Sequence, residues 1–244
     1  MKGGIVVEEK KVIVFGASGG IGKTVVSSLK SEYSVIAVDK SDAVMELEDE
    51  KTTVLQLDME DEAAVDKLQA LLDQTSNLYG AVFATGIMIP GSVTELSQED
   101  WDKTVQINLT LIFQYTKLVL PYLMKNKRSH IIMFASHLGV VGSYNLTAYS
   151  VTKAALIEFV KCLALDYGDA GVIANSISPG FVKTPMLSKA RKSFSTNKKW
   201  MFACGGLPKQ YMNPLDIANL VMYLLNQESM NGENIVIDGG YSAR

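Results

Sequence analysis

Tyr149 and Lys153 stand four residues apart in Tyr149-Ser150-Val151-Thr152-Lys153, and the segment continues Ala154-Ala155-Leu156-Ile157-Glu158-Phe159. This stretch reads as the first turns of a helix. Positions i and i+4 lie on one helix face, so the phenol and the ammonium point into the same space. A free tyrosine, with a pKa of about 10, is a poor base at neutral pH. A cation held beside it favours the phenolate and lowers that pKa, making the phenol a usable general acid or base. Ser136 lies thirteen residues upstream, just past the apolar run Ile131-Ile132-Met133-Phe134-Ala135. That run reads as a buried strand. Ser136 then sits at its C-terminal end, where open α/β sheets bind ligands, and its hydroxyl can hold a substrate oxygen while Tyr149 moves the proton. A tyrosine and a lysine at this spacing also occur on ordinary helix surfaces, so the N-terminal sequence has to decide between the two.

Lys11-Val12-Ile13-Val14-Phe15 reads as a first strand, running into Gly16-Ala17-Ser18-Gly19-Gly20-Ile21-Gly22 and then a helix with Ile21, Val25 and Leu29 on one face. A strand, a glycine-rich turn and a helix make a phosphate site. Glycines let the backbone approach a pyrophosphate, and the helix N-terminus offers free N–H groups and the positive end of its dipole. Gly16, Ser18, Gly19, Gly20, Ile21 and Gly22 are therefore expected to hold a dinucleotide. A second strand, Ser34–Val38, ends at Asp39, 17 residues past Gly22. An acid there can accept hydrogen bonds from the adenosine ribose hydroxyls and should repel a 2′-phosphate. NAD is expected over NADP, although Lys40 could swing to a 2′-phosphate.

Residues 40 to 52 are polar and acidic and read as a short solvated connection. Thr53–Leu57 reads as a third strand ending at Asp58. Asp58 and the following Met59 are placed at the adenine, although Asp58 serves equally as an N-cap for a helix starting near Asp61. A fourth buried strand ends at Ala84, and Gly86 just beyond lets the backbone pass close to the cofactor. Trp101 to Met124 reads as one long helix with Asn108 inside it. Asparagine is mediocre there, and either opens the helix to a water or is simply tolerated. The helix after Tyr149 carries an apolar stripe of Ala155, Phe159, Cys162 and Leu163, with Cys162 in the core. The sixth strand leads into Ser178-Pro179-Gly180-Phe181-Val182-Lys183-Thr184-Pro185, a rigid turn where Val182 and Thr184 can touch a nicotinamide amide and a phosphate. Residues 186–209 read as a lid with six basic residues and no acid. They form either a solvated surface helix or a cationic cover for an anionic substrate.

Apolar runs alternating with helical patterns argue for a parallel sheet with helices on both faces. The reading is α/β: a single-domain, Rossmann-type, doubly wound parallel sheet of about seven strands over 11–244, behind an N-terminal extension at 1–10. A net charge of −3 gives no sign of nucleic-acid binding. The two cysteines have no metal or redox spacing, so no metal site is expected and a reducing, cytoplasmic setting is. No apolar run approaches the ~18 residues of a membrane span.

Taken together, the glycine loop, Asp58, Asn108, Ser136, Tyr149 with Lys153, Pro179-Gly180 and Asp238-Gly239-Gly240 resemble the short-chain dehydrogenase/reductase family over nearly the whole chain. The resemblance implies a nicotinamide cofactor and a small-molecule alcohol or ketone substrate. It implies Tyr149 as acid/base, Ser136 as the substrate-oxygen donor, Lys153 on the nicotinamide ribose, and Asn108 holding a water in a proton relay. It also implies a homodimer or homotetramer built on the long helices. Two departures stand out. The family's Asn-Asn-Ala-Gly is Phe83-Ala84-Thr85-Gly86 here, which puts some sheet-stabilising hydrogen bonds in doubt. Gly19 and Asp39 depart from 3-oxoacyl-carrier-protein reductases, which usually use NADP, and the short connection after Asp39 is similar to NAD-dependent cyclic dihydrodiol dehydrogenases. An NAD(H)-dependent secondary-alcohol oxidoreductase is thus expected. The alternatives are an NADPH-dependent 3-oxoacyl reductase and a dinucleotide-binding scaffold without turnover.

Overall fold

Seven apolar runs form seven strands among the described residues, all parallel: β1 (Lys11–Phe15), β2 (Ser34–Asp39), β3 (Thr52–Gln56), β4 (Leu78–Phe83), β5 (Ser129–Phe134), β6 (Val172–Pro179) and β7 (Asn234–Ile237). Their order in the sheet is β3-β2-β1-β4-β5-β6-β7. Between β1 and β4 the winding direction reverses, and such a switch opens a crevice at the strand C-termini. The computed structural model describes residues 9–188 and 211–243.

Side chains alternate across each strand, and the two faces recruit different helices. Ile13, Phe15 and Ile131 pack with Leu68 and Leu72 of α2 (Ala64–Asp73), with α4 (Leu111–Leu123) and with Leu156, Val160 and Leu163 of α5 (Thr147–Tyr167). Val12, Val14 and Ile132 pack with Val25 and Leu29 of α1 (Gly20–Leu29) and with Val221 and Leu224 of α6 (Pro214–Leu225). Helices therefore cover both faces, as an all-parallel sheet requires.

Four local expectations change. The connection after Asp39 is not merely solvated: Asp42–Leu47 form a 3₁₀ helix capped by Ser41, with Val44 and Leu47 buried. Three-residue spacing puts those two side chains on one 3₁₀ face. The helix expected near Asp61 starts at Ala64. The long helix begins earlier, as α3 (Gln98–Val105), and passes through a π-turn at Gln106–Thr110 before α4. Finally, the core stripe of α5 is rotated one position from the expected one. Leu156, Val160 and Leu163 are buried, Ala155 and Phe159 are half-buried, and Cys162 is exposed. Burial of Tyr149 and Lys153 sets this phase, because a helix cannot bury those two and also turn Cys162 inward.

A buried polar cluster sits at the opposite end of the sheet from the crevice. Tyr79 Oη donates to the Leu225 carbonyl at 3.0 Å and lies 3.1 Å from His130 Nε2. With its proton committed to Leu225, Tyr79 accepts from a neutral His130. Burial, helped by the Lys10 and Arg128 charges, pulls the His130 pKa down to about 4. A lowered folded-state pKa means that the unfolded chain takes up a proton which the folded chain refuses between about pH 6.5 and 4. Stability contributed by the neutral ring is complete above pH 6.5 and is lost as pH falls through that window, by up to about 3 kcal/mol. Urea midpoints from pH 7.5 down to 4.5 should therefore fall more steeply for the wild type than for His130→Gln. Parallel curves would reject the assignment.

Candidate active site

The crevice begins at the turn after β1. Gly16 has φ +78°, the left-handed region that glycine tolerates. A Cβ there would come within 2.8 Å of the Ala84 carbonyl carbon, and one at Gly22 would collide with the Gly16 carbonyl oxygen. The loop is thus folded tightly under the start of α1, whose N-cap residue Gly19 supplies no side-chain cap. The first N–H groups of the helix face the crevice, as an anion site needs. The Asp39 carboxylate closes the loop, accepting from Ser18 N and from Ser41 N, each at 3.0 Å. Lys40 leans the other way, 3.6 Å from Asp58 and 3.9 Å from Glu60. Across the loop, the Thr184 methyl lies 2.9 Å from where a Gly20 Cβ would be. Gly20, Asp39, Asp58, Met59 and Gly86 all line one open cleft of about 540 Å³. Typical small-ligand pockets span about 300–1,000 Å³, so the cleft and its glycine cradle fit a dinucleotide.

A second, narrower cleft, of about 120 Å³, continues from the first and shares Ile21, Ala84, Gly86 and Thr184 with it. Ser136, Tyr149 and Lys153 line it together with Pro179, Gly180 and Val182. The Ser136 hydroxyl oxygen accepts from Leu138 N at 3.1 Å, capping the 3₁₀ turn His137–Gly139, and the hydroxyl lies near enough to the Tyr149 phenol to favour its ionised form. Lys153 is buried and donates to the Phe134 carbonyl at 2.7 Å. Its Nζ sits 5.8 Å from the Tyr149 ring centroid. Burial pulls the ammonium down to about 8, which keeps it mostly charged at neutral pH. For Tyr149, burial pushes the phenol up, while the Ser136 hydroxyl pulls the other way. The sequence suggested a phenol lowered by its neighbouring lysine; in the folded chain desolvation is the larger effect.

Asn108 sits in the π-turn with its amide fully used. Its Oδ1 accepts from Ile87 N at 2.8 Å, and its Nδ2 donates to Ile87 O at 2.9 Å and to Thr152 Oγ1 at 3.2 Å. The side chain therefore clamps the backbone just past β4 onto α5. In doing so it orders the stretch where Phe83-Ala84-Thr85-Gly86 lacks the family's asparagines. A Gly86 Cβ would lie 3.3 Å from Lys153 Nζ and 3.4 Å from Asn108 Oδ1, so the absence of a side chain there leaves room between cleft and lysine.

The family model described as "Enoyl-(Acyl carrier protein) reductase" matches residues 16–242. This chain belongs to the short-chain dehydrogenase/reductase family. Oxidoreductase UcpA of Salmonella typhimurium is 32% identical over 95% of this chain and 94% of its own length. The 2,3-dihydro-2,3-dihydroxybenzoate dehydrogenase of Bacillus subtilis is 27% identical over 96% of both. Among solved structures, a variant of the actinorhodin polyketide ketoreductase with NADPH shares the fold, superposing with a TM-score of 0.89 at 23% identity and covering 97% of this chain and 98% of that one. The protein is thus an oxidoreductase of a family acting on CH–OH groups with NAD or NADP.

As a short-chain dehydrogenase/reductase, the chain gathers nearly all the predicted site residues at one sheet edge. Asn108 is set behind them and supports them. The basic residues between Lys189 and Lys209 and most of the N-terminal extension lie outside the described residues. Sequence reasoning missed three groups lining the second cleft and one packed beside it. Met88 and Phe181 line it, and Tyr241 packs beside Phe181 and Tyr149 from the far end of the chain. His137 lines it directly after Ser136. The one available signal was a histidine, one of only two in the chain, adjoining a candidate catalytic serine. Among the described residues no group of three or more His, Cys, Asp or Glu is placed to hold a metal, and no helix is long and apolar enough to cross a membrane.

Proposed function

We propose that the protein interconverts a secondary alcohol and a ketone with NAD(H), using Tyr149 as acid/base, Ser136 as the donor to the substrate oxygen and Lys153 as the cation beside them. The observation that carries this reading is the second cleft, which Ser136, Tyr149 and the buried Lys153 line together. A bound nicotinamide supplies the hydride acceptor or donor. In oxidation, Ser136 orients the carbinol oxygen and Tyr149, as phenolate, takes its proton. The Lys153 charge offsets part of the burial that otherwise keeps the phenol protonated. In reduction Tyr149 returns the proton to the same oxygen. Lys153, Gly86 and Val182 would hold the nicotinamide end of the cofactor, and Thr184, packed over Gly20, would serve its phosphates.

NAD is favoured because Asp39 points its carboxylate into the cleft at the loop while Lys40 is engaged by Asp58 and Glu60. The domain runs from 11 to 244. The protein works in the cytoplasm as a homodimer or homotetramer packed through α4 and α5, where Phe113 is 52% exposed and Leu165 84% exposed. The relative named 2,3-dihydro-2,3-dihydroxybenzoate dehydrogenase supports a cyclic or hydroxylated substrate, and the six basic residues of 186–209, which lie outside the described residues, would suit one bearing an anionic group.

Fluorescence titration with NADH and with NADPH tests the reading, followed by a panel of secondary alcohols with the preferred cofactor. Tighter NADH binding and turnover of one panel member are expected. Tighter NADPH binding would favour a 3-oxoacyl-type reductase, for which Lys40, 61% exposed at its side chain, is the candidate phosphate partner. Binding without any turnover would favour a scaffold.

A further inference from the structure

The wall of the second cleft is mostly apolar, formed by Met88, Phe134, Leu138, Leu146 and Phe181. One polar side chain in that wall has no part in hydride transfer. His137 is 2% exposed and lines the cleft beside Ser136. Its Nδ1 lies 2.9 Å from the Pro179 carbonyl oxygen. A carbonyl can only accept, so Nδ1 carries the proton and Nε2 carries a lone pair. Nε2 is buried and has no hydrogen-bond partner among the described residues. The ring cannot turn to find one without abandoning Pro179. It is also held edge-on by Phe181 and Tyr241, at centroid distances of 5.0 and 4.7 Å. Burial keeps the imidazole below its usual pKa against the opposing pull of the Pro179 bond and Asp238, so the ring is neutral at pH 7. A buried acceptor without a donor is uncommon in folded proteins.

We propose that His137 Nε2 accepts a hydrogen bond from a second hydroxyl on the substrate, so that the site selects diols and hydroxyketones over the matching simple alcohols and ketones. The inference rests on the reading that Ser136 and Tyr149 take the reacting oxygen. His137 directly follows Ser136 in the chain, which puts the second hydroxyl on a carbon near the carbinol. A carboxylate or carbonyl oxygen does not suit Nε2, because two acceptors would face each other. An ammonium does not suit the cleft either: no Asp or Glu lines it among the described residues, and the Lys153 charge does. A site built around a hydroxyl also rejects analogues lacking one, since its own acceptor is then left unpaired.

The test is NAD-linked oxidation of matched pairs, cyclohexane-1,2-diol against cyclohexanol and 2,3-butanediol against 2-butanol. It is run with the wild type, His137→Phe and His137→Gln, each checked by thermal melting. The wild type should favour the diol in kcat/KM by about tenfold to a hundredfold. His137→Phe should lose that preference mainly through the diol's KM, and His137→Gln, whose amide oxygen still accepts, should keep part of it. A merely structural role would depress both members of a pair alike, so an unchanged ratio in His137→Phe overturns the proposal, as does a wild type indifferent to the second hydroxyl. Should neither pair turn over, calorimetric binding of the same compounds to the NADH-loaded protein reads the same difference. A diol-specific loss in His137→Phe supports the assignment and an equal loss rejects it. Failure of the underlying catalytic reading looks different: Tyr149→Phe would turn over like the wild type, or NADH would not bind.

Discussion

Tyr149→Phe is expected to lower turnover by about 10²- to 10⁴-fold, the usual worth of a positioned acid/base, while leaving NADH affinity within a few-fold of the wild type. The phenol oxygen is the only atom removed. The ring remains against Leu138, Leu146 and Tyr241, so the cleft keeps its shape and stability changes little. The loss should fall on kcat and on kcat/KM alike, because the proton is transferred in the transition state and not on binding. Steady-state rates at saturating cofactor, with a parallel fluorescence titration, measure both. Turnover surviving at the wild-type level would remove Tyr149 from the chemistry, and a large loss of NADH binding would mean that the ring serves the cofactor instead. The pH profile adds a second check. Because burial holds Lys153 at about 8, its charge is present below that pH and disappears above it. Support for the phenolate should therefore weaken on the alkaline side, well below the ~10.4 of an ordinary lysine.

Asp39→Asn should raise the NADPH-to-NADH affinity ratio by about tenfold to a hundredfold. Two unit charges about 4 Å apart at an effective dielectric near 20 interact by roughly 4 kcal/mol, and solvent at this half-buried carboxylate reduces that to the smaller figure. Asparagine keeps an oxygen acceptor for only one of Ser18 N and Ser41 N, which now bond the two carboxylate oxygens at 3.0 Å each, so the variant is checked by thermal melting before the ratio is read. Lys40 should contribute little by itself while Asp58 and Glu60 engage it. A further Asp58→Asn change should therefore strengthen NADPH binding again. Titration of each variant with both cofactors gives the ratio directly, and a ratio that does not move would mean that selection lies elsewhere in the cleft.

Local chemistry was legible in the chain. The glycine loop is a strand, a turn and a helix in immediate succession, and Tyr149 and Lys153 share a face because helical spacing dictates it. Alternating apolar runs specified a parallel sheet, and strand ends located Asp39, Ser136 and Pro179 at one edge. Each of these conclusions needs only neighbours a few residues away.

What needed the tertiary structure depends on contacts between distant segments, or on burial, which no short window encodes. Asn108 clamps Ile87 and Thr152, 21 and 44 residues away, so the choice between a water site and a tolerated residue could not be made from its own helix. The stripe on α5 was misplaced by one position because the apolar residues around Phe159 and Cys162 allow two phases, and only the inward pull of Tyr149 and Lys153 selects one. The direction of the Tyr149 pKa was reversed for the same reason: spacing revealed the nearby cation, but desolvation by the surrounding walls outweighs it. His137 meets Pro179 42 residues on and Tyr241 near the other end of the chain. From the sequence alone, it was a histidine after a serine; folding buries the ring, fixes its proton on Nδ1 and leaves Nε2 without a donor among the described residues.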